Sequence, residues 1–357
     1  IAVGVIREPE FAESILEEEK VDFLALGRAL LADPDWSNKA VQGRLKDIRK
    51  CISCNFCARH IELHTPIRCA INPAVGREHE FAETRLKPAS TKKKVMIVGG
   101  GPAGMEAARI AALRGFDVSL YEKGQSLGGQ LKLAAVPPNK EKLHWLREYL
   151  INQVEQARVK IHLGTEVNVQ MVKSEKTDVL IVATGVKPVI PQIPGVNNEN
   201  VMTAQDALAG KTDIREKKVA VLGQWSTGAQ TADFLASRGN KVVIIARSAA
   251  RYLARGAQPV NITELVVKLT RNPNITILNE CHVKEITNSG VIFLDKRGEE
   301  KFVSVNKVIL ARGVTPLREL AEKLRGQIPE IYIVGDAVKP RDIASAIYEG
   351  ALIARKL

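Results

Sequence analysis

Long apolar runs are missing from this sequence. Nothing in its 357 residues approaches the roughly 18 consecutive apolar positions of a bilayer-crossing helix. No basic-then-apolar leader opens the chain at Ile1 either. The sequence therefore predicts no membrane segment and a cytoplasmic location. Aromatic residues are scarce, at 4%. Lys and Arg outnumber Asp and Glu by 52 to 40, for a formal net charge of +12, but they are scattered along the chain. A nucleic-acid reader clusters its cations and interleaves them with stacking rings. The surplus instead reads as a solvated basic surface, suited to acidic cofactors and nucleotide-bearing substrates. Cysteine is scarce too, with five in all, but its distribution is uneven.

Four of the five lie in "KCISCNFCARHIELHTPIRCAINP", residues 50–73, and only Cys281 lies elsewhere. Cys51, Cys54, Cys57 and Cys69 are spaced C-x2-C-x2-C-x11-C. Cysteines this close bridge one another badly, so disulfides are the poorer reading. Two metal readings stand. Four thiolates suit a closed zinc site, which usually draws on two well-separated C-x2-C pairs. A clustered triplet with a remote fourth cysteine is typical of iron–sulfur ligation, here a [4Fe–4S] cluster. His60, His64 and His79 are nearby and read as loop residues or as alternative ligands.

"KKKVMIVGGGPAGMEAARIAALRGFDVSLYEKG" (92–124) carries a second signal. An apolar strand leads into Gly99-x-Gly101-x-x-Gly104. Pro102 and Ala103 open a helix that Gly115 closes, and a second strand ends on Glu122 and Lys123. Gly99 permits the tight turn, Gly101 lets backbone approach a pyrophosphate, and Gly104 lets helix pack on strand. Glu122, 18 residues past Gly104, can accept from a ribose diol. "VLIVATGVKP" (179–188) is a buried strand ending in Ala183-Thr184-Gly185. "IYIVGDAVKP" (331–340) ends a strand in Gly335-Asp336, ahead of the last helix. Asp336 reads as an acceptor for a ribityl hydroxyl or as a simple helix cap.

The pattern repeats at an offset of 124 in "KKVAVLGQWSTGAQTADFLASRGNKVVIIARS" (217–248), where Gly223 and Gly228 answer Gly99 and Gly104. Trp225 stands where the second glycine would be, and its indole is expected to fill the pyrophosphate space. Ala246 replaces the acid, with Arg247 next to it and Arg251 four further on. Loss of the acid and gain of arginines suit a 2′-phosphate, hence NADPH. The alternative is a fold kept as scaffold alone. At the start of the chain, Ile1–Val5 and Val21–Leu26 read as strands around a helix at 9–18. They look like the last two β/α units of a (β/α)8 barrel, whose final loops hold phosphate.

The ordered series "LGRALLADPDW", "DIRKCISCNFC", "CAINPAVGRE", "VMIVGGGPAGMEAA", "LGGQL", "IVATG" and "IVGDAVKPRDIASAI" resembles the C-terminal part of a known family. These are the iron–sulfur flavoenzymes related to old yellow enzyme, which include 2,4-dienoyl-CoA reductase, enoate reductase and trimethylamine dehydrogenase. The resemblance implies an electron relay between NAD(P)H, FAD, a [4Fe–4S] cluster and FMN. In the reductases this relay reduces an activated C=C bond in a small substrate held by the barrel. In the amine dehydrogenases the flow reverses, an electron-transfer flavoprotein is the partner, and the first fold holds ADP. By position, Cys51, Cys54, Cys57 and Cys69 would bind the cluster. Gly99, Gly101, Gly104 and Glu122 would hold the adenosine end of FAD, with Gly129, Gln130, Thr184 and Asp336 along the remainder. Gly27 and Arg28 would hold the FMN phosphate. The resemblance assigns no catalytic residue here, because the family's acid lies in the barrel strands this chain lacks, and it leaves a homo-oligomer open.

The expected architecture is α/β: two nested Rossmann-like domains preceded by a barrel remnant. The remnant spans 1–45 and the cluster loop 46–90. The FAD- or ADP-binding domain spans 91–205 and 318–357, and the NAD(P)-binding-like domain spans 206–317.

Overall fold

In a computed structural model of the chain, described for residues 1–256 and 258–357 and for Pro259 only in its backbone, the apolar runs become parallel strands. All four residues of Val179–Val182 and the last four of Lys94–Val98 are buried, as in strands with helices on both faces. They are central in a five-stranded parallel sheet ordered Glu330–Ile333, Val179–Val182, Lys94–Val98, Asp117–Tyr121, Lys160–His162. The helix Pro102–Leu113 starts directly after the middle strand, with Pro102 in its first turn, where a missing N–H costs nothing. The last helix, Ile343–Lys356, packs on it closely enough that a Cβ on Gly350 would lie 2.3 Å from the Ala103 carbonyl oxygen. These elements belong to a compact unit comprising residues 1–132, 142–186 and 316–357.

A second unit comprises residues 133–141 and 187–315. Its parallel sheet runs Ile275–Leu278, Lys241–Ile245, Lys218–Leu222, Lys307–Leu310, Val201–Thr203. A three-stranded antiparallel sheet, His282–Thr287, Gly290–Leu294 and Glu300–Ser304, completes it. The expected boundary at residue 205 differs from the observed crossing after Val186. Val201–Thr203 pairs with Lys307–Leu310 and so belongs to the second sheet.

At the start of the chain, Ala2–Val3 pairs in parallel with Leu24–Ala25 around the helix Pro9–Glu17. Both strands are shorter than the sequence predicts, because a parallel pair with no neighbouring strand has few partners for its backbone groups. Ile6, Ala12, Ala29, Trp36 and Ile48 form a small core beneath it. Val3, Val5 and Phe23 are exposed. Among the described residues no helix is long and apolar enough to cross a membrane.

Candidate cofactor sites

The first glycine-rich turn is closed where it must pack and open where a ligand would lie. A Cβ on Gly104 would sit 1.9 Å from the Gly99 carbonyl oxygen, and one on Gly99 would sit 2.2 Å from the Ala183 carbonyl oxygen. Neither position tolerates a side chain. A Cβ on Gly101, by contrast, would meet only the Cα of Gly129, at 4.0 Å. Glu122 ends the neighbouring strand with its carboxylate turned into the turn, accepting from Gly100 N at 2.8 Å and Gly124 N at 2.7 Å. Gln130 donates through Nε2 to Asp336 Oδ2 at 2.8 Å, which joins two motifs 206 residues apart. The other Asp336 oxygen accepts from Arg341 N. Thr184 donates its hydroxyl to the Leu317 carbonyl at 2.6 Å, so its oxygen is already engaged in tying the chain. Lys123 is exposed. An open backbone cradle with an acid at its rim and a polar pair beyond fits an adenine dinucleotide.

The four clustered cysteines line one cavity with Arg28, Leu31, Ile52, Ser53, Asn55, Ala70 and Ile71. Ser53 and Asn55, the residues just before Cys54 and between Cys54 and Cys57, hold left-handed backbone at φ 54° and 60°, which folds the loop back on itself. No disulfide joins the described cysteines. Among the described residues, no three His, Cys, Asp or Glu side chains gather around a point for a single ion. Burial pushes the Cys54 thiol up to about 12, with the neighbouring cysteines adding to the effect. Burial also raises Cys69, against the opposing pull of backbone hydrogen bonds from Ile71 and Asn72 and then of Arg49. His60, His64 and His79 do not line the cavity, and His60 Nδ1 lies 2.8 Å from Thr65 Oγ1.

A neighbouring cavity is lined by Val3–Arg7, Ala25–Ala29 and Cys51. Gly27 and Arg28 are therefore on its wall, and Cys51 and Arg28 line both cavities. Two arginines reach the cysteine loop from this side. Arg28 Nη1 donates to Asn55 Oδ1 at 3.2 Å, and Arg7 Nη2 donates to Ser53 Oγ.

The second fold keeps the packing glycines of the first. A Cβ on Gly228 would sit 2.2 Å from the Gly223 carbonyl oxygen, and one on Gly223 at 2.2 Å from that of Ala311. Trp225, at the position of Gly101, is 57% exposed, with the Arg255 guanidinium 5.6 Å from its ring centre. It precedes the helix Ser226–Ser237 in the same extended backbone that Gly101 holds before Pro102, φ −71° and ψ 178° against φ −78° and ψ −179°. Arg247 is exposed and pushes the pKa of Arg312 down, although burial is the larger cause. Arg251 is also exposed and is raised mainly by its hydrogen bond to Tyr252, with its guanidinium 4.9 Å from that ring.

Sequence reasoning missed several contributors. Glu349 accepts from Gly335 N at 2.8 Å and holds the turn before Asp336. Arg49 donates to Tyr149 Oη at 2.8 Å behind the cysteine loop. Arg109 forks onto Glu106 at 2.9 and 3.0 Å and reaches Glu83 at 2.6 Å. Arg312 fell inside a visible repeat, "ARGVTP" against "ATGVKP", and was legible from it. Arg109 was legible only as the i,i+3 partner of Glu106, and Glu349 and Arg49 carry no local motif.

A glycine-rich cradle ending in an acid, with a second copy of the same fold in the chain, defines a paired dinucleotide-fold oxidoreductase of the flavoprotein kind. Residues 93–350 match the pyridine nucleotide-disulphide oxidoreductase family, and the chain belongs to that family, which implies FAD and a pyridine nucleotide. It is 40% identical to an NADH oxidase of Thermoanaerobacter brockii, over 99% of this chain and 54% of that protein. It is 31% identical to a cinnamate reductase of Clostridium sporogenes, over 100% of this chain and 53% of that protein. A solved 2-naphthoyl-CoA reductase superposes with a TM-score of 0.92 at 31% identity, over 98% of this chain and 53% of that one. The chain spans about half the length of the relatives it matches.

Proposed function

We propose that this chain is the electron-relaying part of a flavin-dependent NAD(P)H oxidoreductase related to old yellow enzyme, whose whole form reduces an activated C=C bond. In this reading FAD occupies the first cradle, a [4Fe–4S] cluster the cysteine cavity, and the phosphate of FMN the cavity beside Gly27 and Arg28. Bound there, flavin supplies the conversion between hydride and single electrons, and the cluster supplies a one-electron path. The observation that carries the reading is that Cys51 and Arg28 line both the cysteine cavity and its neighbour, so a cluster and a phosphate-anchored ligand would adjoin. The relatives named as reductases support the direction of electron flow.

The chain's own residues do the holding. Gly101 and Gly129 leave the pyrophosphate path open, and Glu122 has lone pairs left for a ribose diol. Gln130 and Asp336 present a polar edge towards the remaining cofactor. Arg7 and Arg28 fix the cysteine loop, and the Arg28 guanidinium lies where a phosphate would be neutralised. Zinc gathers four sulfurs about 2.3 Å from one centre. The clustered triplet with a remote fourth cysteine, all four on one cavity, favours the larger cluster. The barrel identity of the N-terminal strand pair rests on the parallel β-α-β order and the exposed Val3, Val5 and Phe23.

Anaerobically purified protein tests the reading. It is expected to show the twin visible bands of flavin with a broad shoulder from iron, and NADPH is expected to bleach the flavin. Cys51→Ser and Cys57→Ser should lose the iron and keep the FAD. Zinc in place of iron would sink the cluster. A second reading, a structural FAD or ADP with no NAD(P)H use as in amine dehydrogenases, is favoured by Gln224, whose buried side chain occupies the second turn. Bound flavin that NADPH and NADH both leave oxidised would select it.

A further inference from the structure

The internal repeat runs further than its glycines. In the first fold Leu127 is buried, and Gly128 N donates to the Gly100 carbonyl at 2.8 Å. In the second, Leu253 is buried, and Ala254 N donates to the Gln224 carbonyl at 2.8 Å. Gly128 and Ala254 both hold positive φ, 124° and 59°. Leu127-Gly128-Gly129 thus has its structural counterpart in Leu253-Ala254-Arg255. The correspondence pairs Gly101 with Trp225 and Gly129 with Arg255.

In the first fold those two glycines face each other, and a Cβ on Gly129 would come within 2.9 Å of the Gly101 Cα. In the second fold the same two positions carry two large side chains, with the cation of one over the ring of the other. The Arg255 guanidinium is 5.6 Å from the centre of the Trp225 ring and 5.2 Å from that of Tyr252. The Arg255 carbonyl accepts from Ser226 N at 2.8 Å, at the first residue of the helix Ser226–Ser237. Where Glu122 reaches into the first turn, Ala246 offers nothing. The polar space is taken by Gln224, only 2% exposed, which donates to the Ser248 and Ala249 carbonyls at 3.1 and 2.9 Å.

We propose that Trp225 and Arg255 form a gate over the second nucleotide fold. Stacked, they cover the path that a dinucleotide pyrophosphate would follow, and a pyridine nucleotide is admitted only when they part. The proposal rests on the reading that such a nucleotide uses the second fold.

The test is titration of NADP⁺ into the purified full chain carrying its FAD, read by calorimetry. Trp225→Gly removes the stack and is expected to tighten binding three- to tenfold, on the order of one exposed cation–π contact. Trp225→Phe keeps a ring under the guanidinium and should stay within about twofold of wild type. Arg255→Lys keeps the charge, loses the planar stack and should shift affinity in the same direction as Trp225→Gly. Equal affinity in wild type, Trp225→Gly and Arg255→Lys would overturn the gate and leave the pyridine-nucleotide reading intact. Weaker binding by Arg255→Lys would make Arg255 a ligand clamp and also overturn the gate. Absence of binding in every form would overturn both.

Discussion

Gly101 and Gly104 stand three residues apart and do different work. At Gly104 a methyl group would collide with backbone at 1.9 Å, whereas at Gly101 it would find open space. Gly101→Ala should therefore melt within a degree or two of wild type yet purify with much less FAD, because its Cβ projects where the pyrophosphate approaches. Gly104→Ala should lose stability and flavin together. Thermal melts set beside flavin absorbance separate the two. The cysteines offer a second test at this scale. With the Cys54 thiol pushed up to about 12 by burial, and Cys69 raised as well, metal-free protein at neutral pH holds these two as thiols. The thiolate is the reactive form, so iodoacetamide should label Cys54 and Cys69 more slowly than a free cysteine of ordinary pKa. Iron loading must displace their protons and should strengthen as pH rises. Mass spectrometry of labelled peptides over a pH series reads both effects.

The helix Pro102–Leu113 carries an i,i+3 ion pair whose burial its local sequence does not advertise. Glu106 and Arg109 are 1% and 2% exposed and meet in a two-pronged contact. Arg109→Met would take the two-pronged partner from Glu106 in the core and leave it only the more distant Arg49 and Arg355, at a cost of about 3–5 kcal/mol. Adding Glu106→Leu should recover most of that loss, since burying the pair costs solvation as well. Urea melts of the two single variants and the double variant measure it. Glu83 caps the same network from a half-exposed position. Burial pushes its carboxyl up, but Arg109 first and Arg49 next outweigh this and hold it down at about 2. A depressed carboxylate stabilises the fold above its ordinary pKa, and the contribution disappears as pH falls through about 2. Glu83→Gln should thus melt lower than wild type at pH 6, by a small margin because solvent screens the pair. The difference should vanish near pH 2.

Across the whole molecule, two units each with its own parallel sheet should report on two different ligands. FAD at 100 times its dissociation constant adds about 2.7 kcal/mol to whatever folds around it. Calorimetry is expected to show FAD raising the transition of the unit containing residues 94–121, and NADP⁺ raising that of the unit containing 218–245. A single transition that shifts with FAD alone would favour the scaffold reading of the second fold.

Much of this was legible in one dimension, and the reason is local. A tight turn needs glycine at fixed steps, a buried parallel strand needs four or five apolar residues in a row, and both signals lie inside a dozen residues. Gly99, Gly104, Gly223 and Gly228 and the strands before them could therefore be read directly, and so could the cysteine group. What only the tertiary structure decided is how distant segments meet. Gln130 meets Asp336, Arg109 meets Glu83, Arg28 meets Asn55, and the Arg255 guanidinium comes over the Trp225 ring. Those contacts depend on where loops from different strands arrive in space. A side chain's direction at a helix start is set by the packing around it, which residue order alone does not specify.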